Sequence, residues 1–369
     1  MNLQVRADQV GSLLRPPELL AARAACIEGR LSREELRAAE DDAILEALRR
    51  QRDTCIDIYT DGEMRRSSWL SDMAEAVDGF VPESVSLDWK GPGGKSEASA
   101  AQVAGGKLRK RKKLTGDELL LLKTSAAGPF KITVPAASNF MVSSYKEHIT
   151  DTFYPRREDL LADLVDIIRD EVAWLQAEGV PYVQFDAPFY SFYFDPLQRE
   201  RLRAAGRDAD RELELAVAGD NAVLRDIPRD RVTLAVHICR GNNRSRWYTE
   251  GTYDAIAEKL FGSLDVDTFL LEYDTERSGG FEPLRLVPRG KTVVLGLVTS
   301  KEPQLETQDD LRRRIDQAAK YIPLENLAIS TQCGFASTVS GNLLTMDQQW
   351  RKLALVAETA RKVWGTLKP

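Results

Sequence analysis

The sequence is poor in histidine, in cysteine and in long apolar runs. Two histidines and four cysteines are spread over 369 residues. No apolar stretch approaches the roughly 20 residues that a membrane-spanning helix needs. The opening residues, MNLQVRADQVGS, lack the basic stretch and apolar segment that mark a signal peptide. We therefore expect a cytoplasmic protein without a membrane partner.

An excess of positive charge is also missing. The chain carries 51 Lys and Arg against 57 Asp and Glu, for a formal net charge of −6. Nucleic-acid binding depends on clustered basic residues that neutralise phosphates, so this composition gives no reason to expect such a partner. In a reducing compartment the few cysteines are candidates for metal, catalytic or core positions rather than disulfides. They are Cys26, Cys55, Cys239 and Cys333.

Apolar, β-branched stretches alternate with longer amphipathic stretches along the whole chain. Strands are expected at 4–12, 56–63, 120–129, 180–188, 231–239, 267–274, 292–300 and 327–335. Helices are expected at 34–54, 157–178, 199–217, 251–263, 307–320 and 346–363. Eight strands that alternate with helices predict one α/β domain over residues 1–369, a (β/α)8 TIM barrel. An open doubly wound sheet is the alternative, although no G-x-G-x-x-G follows any strand.

Residues 91–113 interrupt this alternation. The segment GPGGKSEASAAQVAGG is rich in small residues and leads into the basic run KLRKRKK. Such a composition predicts a flexible, solvated insertion. The functional alternative is a lid, or a basic patch for an anionic ligand or partner.

Residues able to bind a metal collect at the ends of the predicted strands, where a barrel of this kind places its active site. His237 and Cys239 are two residues apart, so both side chains lie on the same face of a strand. Cys333 ends the last predicted strand, and Glu272 ends the strand after His237. Zinc binds N, S and O ligands in a tetrahedron. These four residues are therefore candidate zinc ligands, and packed core residues are the alternative.

Zinc held by two thiolates is a poor centre for making hydroxide but suits the binding of a substrate thiol. Metal coordination deprotonates a thiol whose free pKa is about 8.5. The reaction class that this ligand set indicates is alkyl transfer to sulfur.

Several short motifs, in order, resemble the catalytic half of cobalamin-independent methionine synthase. They are QVGSLLRP (9–16), DGEMRR (61–66), AAGPFKIT (126–133), VQFDAP (183–188), and then His237, Cys239, Glu272 and Cys333 at the family's zinc-ligand positions. The resemblance implies a zinc-dependent methyltransferase that converts homocysteine to methionine.

The resemblance also implies roles for individual residues. Glu272 would leave the zinc when the substrate thiol binds. Gly11 and Ser12 would bind the carboxylate of the amino-acid substrate, and Glu63 and Asp186 its ammonium group. Glu272 and Asp186 are thus the candidates for catalysis. The alternative for Glu63 and Asp186 is ordinary ion pairing with Arg65, Arg66 or Arg240.

The departures from the family pattern concern the residues expected to act on the methyl donor. The family's D-I-H-S, whose histidine suits protonation of a leaving amine, is LVTS here (297–300), and the other histidine, His148, lies in a predicted loop. The chain also has room for one barrel where the full-length enzyme has two. The donor therefore stays open between methyl-folate, a methylated corrinoid protein and a small methyl donor. Arg240, next to Cys239, would bind an anionic group of donor or acceptor, or pair with Asp274 or Glu276.

Two other functions fit the same residues. One is a zinc-dependent alkyltransferase or lyase that opens an epoxide with a sulfonated thiol, which Arg240, Arg244 and Arg246 would hold. The other is a non-catalytic thiol-binding barrel or a barrel with structural zinc.

Overall fold

The computed structural model describes residues 3–365, with the side chains of residues 71 and 72 excepted. Its strands are β1 Val77–Asp88, β2 Ser96–Lys110, β3 Lys131–Pro135, β4 Tyr182–Asp186, β5 Thr233–Ile238, β6 Thr268–Glu272, β7 Thr292–Val298 and β8 Leu327–Thr331. Its helices are α1 Pro17–Ile27, α2 Arg33–Thr54, α3 Ser71–Ala76, α4 Gly116–Ser125, α5 Asn139–Ser143, α6 Arg157–Ala177, α7 Pro196–Ala204, α8 Ala209–Leu224, α9 Ala257–Ser263, α10 Gln308–Ala318 and α11 Met346–Trp364.

Strands β3 to β8 form a parallel sheet in chain order. Strands β3, β4, β6 and β8 are buried along their whole length, which is typical of a parallel sheet covered by helices. Two short N-terminal segments close the ring: Ala7 bridges Ile329 of β8, and Tyr59 bridges Phe130 next to β3. The Asp57 N–H donates to the Ala7 carbonyl at 3.0 Å and joins these two segments. The predicted (β/α)8 barrel is confirmed.

The first two predicted strands, 4–12 and 56–63, reach the ring as these single bridges rather than as regular strands. The third lies at Lys131–Pro135, so the prediction of 120–129 was wrong. Most of that range belongs to helix α4, in which Leu119 and Leu122 are buried. A short run of leucines fits a buried helix face as well as a buried strand.

The helices predicted at 34–54, 157–178, 307–320 and 346–363 are present with shifts of at most two residues at their ends, whereas the helix predicted at 251–263 begins only at Ala257, after the 3-10 turn Tyr253–Ala255. Helix α2 begins with a capping box, in which Ser32 and Glu35 satisfy each other's backbone N–H groups. The predicted helix 199–217 is split into α7 and α8, because Gly206 at φ +71° and Asp208, which caps α8, interrupt it. Among the described residues, no helix combines the length and the apolar composition needed to cross a membrane.

The segment predicted as a flexible insertion is part of a β-hairpin. β1 and β2 pair in antiparallel fashion from Val77–Lys110 to Asp88–Ser96. At its base the Leu108 N–H donates to the Tyr154 hydroxyl, and at its tip Lys90 bridges Trp247. The basic run is engaged in ion pairs, such as that of Lys110 with Glu171 at 2.8 Å. The hairpin is therefore attached to the barrel at both ends, and several charges of the expected basic patch are neutralised.

Candidate active site

A cavity of about 640 Å³ opens at the carboxyl ends of the barrel strands. Strand β2 of the hairpin, from Glu97 to Gln102, forms part of its wall. Six of the predicted site residues line it: Ser12, Glu63, Asp186, His237, Cys239 and Cys333. The fold thus brings together most of the residues that the motifs single out, from loops far apart in the chain.

Three of the four predicted zinc ligands form one compact group. The ligand atoms of His237, Cys239 and Cys333 all lie within 4.8 Å of one another, and all three residues are buried. Strand β5 carries His237, and Cys239 follows its end, whereas Cys333 follows β8, three strands away around the sheet. Gly334, next to Cys333, allows Ser12 to lie against this loop, because a Cβ there would lie 1.9 Å from the Ser12 hydroxyl.

The chemistry of this group fits a soft divalent cation. Neither ring nitrogen of His237 has a hydrogen-bond partner among the described residues, although both atoms are buried. The adjacent Cys239 thiol and the His237 ring hold the pKa of the Cys333 thiol well below its usual value. Contact with Cys333 and burial raise the pKa of Cys239. A thiolate, a second sulfur and an unpaired imidazole are the donors that structural and catalytic zinc sites use.

Glu272 lies outside this group, which differs from the prediction of four converging ligands. Its Oε1 accepts hydrogen bonds from Arg277 Nε at 3.0 Å and Nη2 at 2.9 Å, and its Oε2 accepts one from the Arg240 N–H at 2.9 Å. Burial raises the pKa of Glu272, but Arg277, Arg240 and Lys301 more than offset it, so the net pKa is lowered. Both carboxylate oxygens of Glu272 therefore already accept hydrogen bonds from protein groups.

Glu63 has a carboxylate oxygen without a partner. Its Oε2 is buried and accepts no hydrogen bond within the described chain, and its Oε1 lies 3.9 Å from Arg66 Nη1. Arg66 instead forms a close pair with Glu118 at 2.7 Å. The pKa of Glu63 is raised to about 7, chiefly by burial. The charge of Arg66 lowers this pKa, and the charge of Asp186 raises it. The ion pair with Arg66 leaves Glu63 Oε2 without a hydrogen bond, and a cationic ligand would supply that partner.

Asp186 lies beside the group formed by His237, Cys239 and Cys333. It ends β4 and pairs in register with His237 of β5. Its Oδ1 accepts a hydrogen bond from Gln184 at 2.8 Å. Burial raises the pKa of Asp186, while His237 and Gln184 oppose that rise. The charge of Asp186 also raises the pKa of Glu63, which lines the same cavity.

Gly11 and Ser12 pass directly next to Glu63. Gly11 has φ +145°, and a Cβ there would lie 3.3 Å from Glu63 Oε1 and 3.1 Å from Thr133 Cγ2. Glu63 itself has φ +55°, a left-handed conformation that non-glycine residues rarely adopt. The backbone is thus shaped to place this carboxylate against the Gly11–Ser12 turn.

Arg240 does not serve as a cavity residue, which corrects its predicted role in substrate binding. Its side chain is fully buried and donates to the carbonyls of Gly251, Glu272 and Ser278. Its guanidinium also lies over the rings of Phe194 and Tyr253. Asp274, the alternative partner, pairs with Arg277 instead. Arg240 therefore holds the loop after β5 and has no donor left for a ligand anion.

The arginines required for a sulfonated thiol are also absent from the cavity lining in the described structure. Arg244 is exposed, and Arg246 pairs with Glu97 of the hairpin. This removes the feature on which the epoxide-opening alternative depended.

The sequence did not reveal Tyr248, which lines the cavity, or Arg277 and Lys301, which lie outside its lining. Lys301 is buried and donates to the Gly241 carbonyl at 2.9 Å and to Asn242 Oδ1 at 2.8 Å, on the loop after Cys239. The only sequence signal for Lys301 is its place after the strand-end segment LVTS. Tyr248 lies in an irregular loop and Arg277 in the single 3-10 turn Glu276–Ser278, and no periodicity identifies either residue.

Comparison with known proteins gives the family. The family model described as "Cobalamin-independent synthase, Catalytic domain" matches residues 6–345. The chain belongs to this family. The protein is 37% identical over 360 residues to the uncharacterised Bacillus subtilis protein YxjH. The aligned residues cover 97% of this chain and 94% of YxjH.

Some relatives that are less similar to this chain are named as methionine synthases. The methionine synthase of Pyrococcus abyssi is 25% identical over 354 residues, which cover 96% of this chain and 91% of that protein. The structure of a B12-independent methionine synthase from Shewanella, solved with selenomethionine, matches with a TM-score of 0.74 at 21% identity. That match covers 98% of each chain and concerns the fold. Membership of the cobalamin-independent synthase family indicates a methyltransferase.

Proposed function

We propose that this protein is a zinc-dependent methyltransferase that transfers a methyl group to a thiol, with homocysteine as acceptor and methionine as product. The observation that carries the proposal is the group formed by His237, Cys239 and Cys333, in the same cavity as Ser12, Glu63 and Asp186. The family is zinc-dependent in general, and the P. abyssi relative bears the name of this activity.

The three ligands of the group would hold the metal. When bound, zinc would lower the pKa of the acceptor thiol and supply it as a thiolate at neutral pH. Glu272, on the neighbouring strand, would complete the ligand set when no thiol is bound. Because Arg277 already binds its carboxylate in this structure, Glu272 has a defined place to go when the acceptor enters.

The protein's own side chains would orient the acceptor. Glu63 and Asp186 would bind the ammonium group, since two buried carboxyls close together favour a cation between them. The Gly11–Ser12 turn, next to Glu63, would bind the acceptor's carboxylate. Holding both ends of the amino acid fixes its sulfur toward the cysteines, and such positioning contributes strongly to a bimolecular transfer.

The first test is the zinc content of the purified protein and of the Cys333→Ser variant, measured per chain by elemental analysis. We expect about one zinc in the parent protein and little in the variant, since serine is a poor zinc ligand. The matched control is Cys55→Ser, because Cys55 is an exposed cysteine outside the cavity. Full zinc and full homocysteine binding in Cys333→Ser would contradict the assigned site.

A further inference from the structure

The part of the cavity that faces the hairpin is walled by aromatic rings. Tyr248 lies directly against the loop after Cys239, since a Cβ on Gly241 would be 2.4 Å from its ring. From there the rings continue outward: Phe189 stacks on Tyr248 with centroids 5.9 Å apart, and Trp69 lies 6.1 Å from Phe189. Trp89 of the hairpin meets Tyr248 edge-on at 5.5 Å. An aromatic wall thus leads from the metal-binding group to the cavity mouth.

The charges of the cavity have one sign. Among the described residues that line it, four are carboxylic acids, Glu63, Glu75, Glu97 and Asp186, and none is lysine or arginine. Glu97 is paired with Arg246, which lies outside the lining. Glu75 is exposed at the cavity mouth. A donor that carries several negative charges would find no cation among these lining residues, whereas a positive ligand would meet aromatic rings and carboxylates.

The cavity also lacks a free imidazole in the part of the chain that the structure describes. His237 belongs to the metal-binding group, and His148 is an exposed turn residue outside the lining. Transfer of a methyl group from a neutral amine leaves an amide-like anion unless a proton is supplied. A methyl group on a cationic sulfur or nitrogen has no such need, because its leaving group departs neutral.

We propose that the methyl donor is a small onium cation, a methylsulfonium or a quaternary methylammonium compound, bound against the Tyr248–Phe189–Trp69 wall. This inference rests on the proposed methyl transfer to a thiol and specifies its second substrate. The acceptor thiolate attacks the methyl carbon, and a new sulfur–carbon bond forms. The bond from the methyl carbon to the onium atom breaks, its electron pair stays on that atom, and a neutral thioether or tertiary amine leaves.

The test compares donors with the zinc-loaded protein and homocysteine. S-Methylmethionine, as the sulfonium, and choline, as the quaternary ammonium, are assayed beside methyl-tetrahydrofolate and methylcobalamin. To count a single transfer without ambiguity, the methyl group of each donor and the carbon skeleton of homocysteine carry different isotopic labels, and the doubly labelled methionine is followed by mass. We expect labelled methionine from at least one of the two onium donors. Label only from methyl-tetrahydrofolate or methylcobalamin would overturn the proposal and leave the methyltransferase function intact.

A binding measurement decides the matter if no donor reacts. Choline and its neutral isostere 3,3-dimethylbutan-1-ol have the same shape and differ in charge. Calorimetry should show choline binding at least fivefold tighter, and Trp69→Leu should remove most of that difference. Trp174→Leu, a half-buried tryptophan outside the cavity, should leave it unchanged. Equal affinity for the two compounds, or no binding of either, would overturn the onium proposal, whereas failure to bind zinc or homocysteine would overturn the proposed function itself.

Discussion

Glu63 is the residue whose chemistry gives the clearest pH dependence. Its pKa is raised to about 7, chiefly by burial. Its ionised fraction therefore falls from about nine-tenths at pH 8 to about one-tenth at pH 6. A carboxylate binds an ammonium group and a neutral carboxyl does so weakly. The dissociation constant of an amino acid should thus rise about tenfold from pH 8 to pH 6.

L-Norleucine separates this effect from the thiol, because it keeps both charged groups of homocysteine and has no sulfur. Its affinity for the protein is measured by calorimetry across the pH range, in the parent and in Glu63→Gln. The variant should bind more weakly at pH 8 and should lose most of the pH slope. An equal slope in both proteins would show that another group titrates.

Arg277 is expected to matter for stability as well as for the position of Glu272. Its guanidinium binds Glu272 and Asp274, whose side chains are fully buried, and it stacks on Trp247 at 4.8 Å. Arg277→Met would leave two buried carboxyls without their main partner, which typically costs about 3–5 kcal/mol. Denaturant unfolding of the zinc-free protein should show this loss, and Arg277→Lys should recover part of it.

The matched control is Arg313→Met. Arg313 pairs with Asp310 on an exposed face of α10, and both side chains are more than half exposed. Such a pair contributes about 0–1 kcal/mol. If the two methionine variants lost similar stability, the cluster around Arg277 would not have the role assigned to it.

The candidate metal ligands can be predicted from the sequence, whereas the residues that position them, such as Arg277 and Lys301, cannot. His237, Cys239 and Cys333 are identifiable because few side chains bind soft metals and strand ends converge in a barrel. Arg240 was misassigned because its charge, next to Cys239, looks the same in sequence whether it faces a ligand or backbone carbonyls. The direction of a side chain after a strand end depends on the following loop, and this loop has no periodic pattern.

At the scale of elements, regular periodicity was informative and irregular segments were not. Helices α2, α6 and α11 lie within a residue of their expected ends, since caps and apolar stripes mark them. The N-terminal segments at Ala7 and Tyr59 have strand-like composition but pair through single bridges. The hairpin was missed because small residues and glycines lower β-propensity, while pairing with β1 and docking on the barrel stabilise it.

The docking of the hairpin tip gives a test with a built-in control. Gly91 and Gly93 both have positive φ, +90° and +62°. A Cβ on Gly91 would lie 2.4 Å from the Trp247 ring, whereas nothing lies within 4 Å of one on Gly93. Both alanine variants pay a strain of about 1–2 kcal/mol for the left-handed backbone, but only Gly91→Ala should displace Trp247.

Hydrogen exchange of the hairpin amides measures this difference. In Gly91→Ala the amides of β1 and β2 should exchange at least tenfold faster than in Gly93→Ala, because loss of tip docking allows local opening. Since the hairpin forms one wall of the cavity, ligand binding should weaken in the same variant. Equal exchange in the two variants would mean that the contact with Trp247 does not fasten the tip.

At the scale of the whole molecule, the candidate zinc ligands His237, Cys239 and Cys333 come from distant strands of the ring. Cys239 follows β5 and Cys333 follows β8, so a bound ion would join strand ends that are three strands apart. A ligand that binds only the folded state stabilises it by about 4 kcal/mol when its free concentration is a thousand times its Kd. For a chain of this length, that corresponds to a rise in Tm of about 5 °C.

Removal of zinc with a chelator should therefore lower the Tm by about 5 °C, and added zinc should restore it. Differential scanning calorimetry at fixed free zinc measures this shift. Cys333→Ser should melt at nearly the same temperature with and without zinc, since it lacks one of the joining ligands. Cys26→Ser, a change far from the cavity, should keep the full shift. If the parent protein bound zinc with no change in Tm, the ion would not connect β5 and β8 as the geometry indicates.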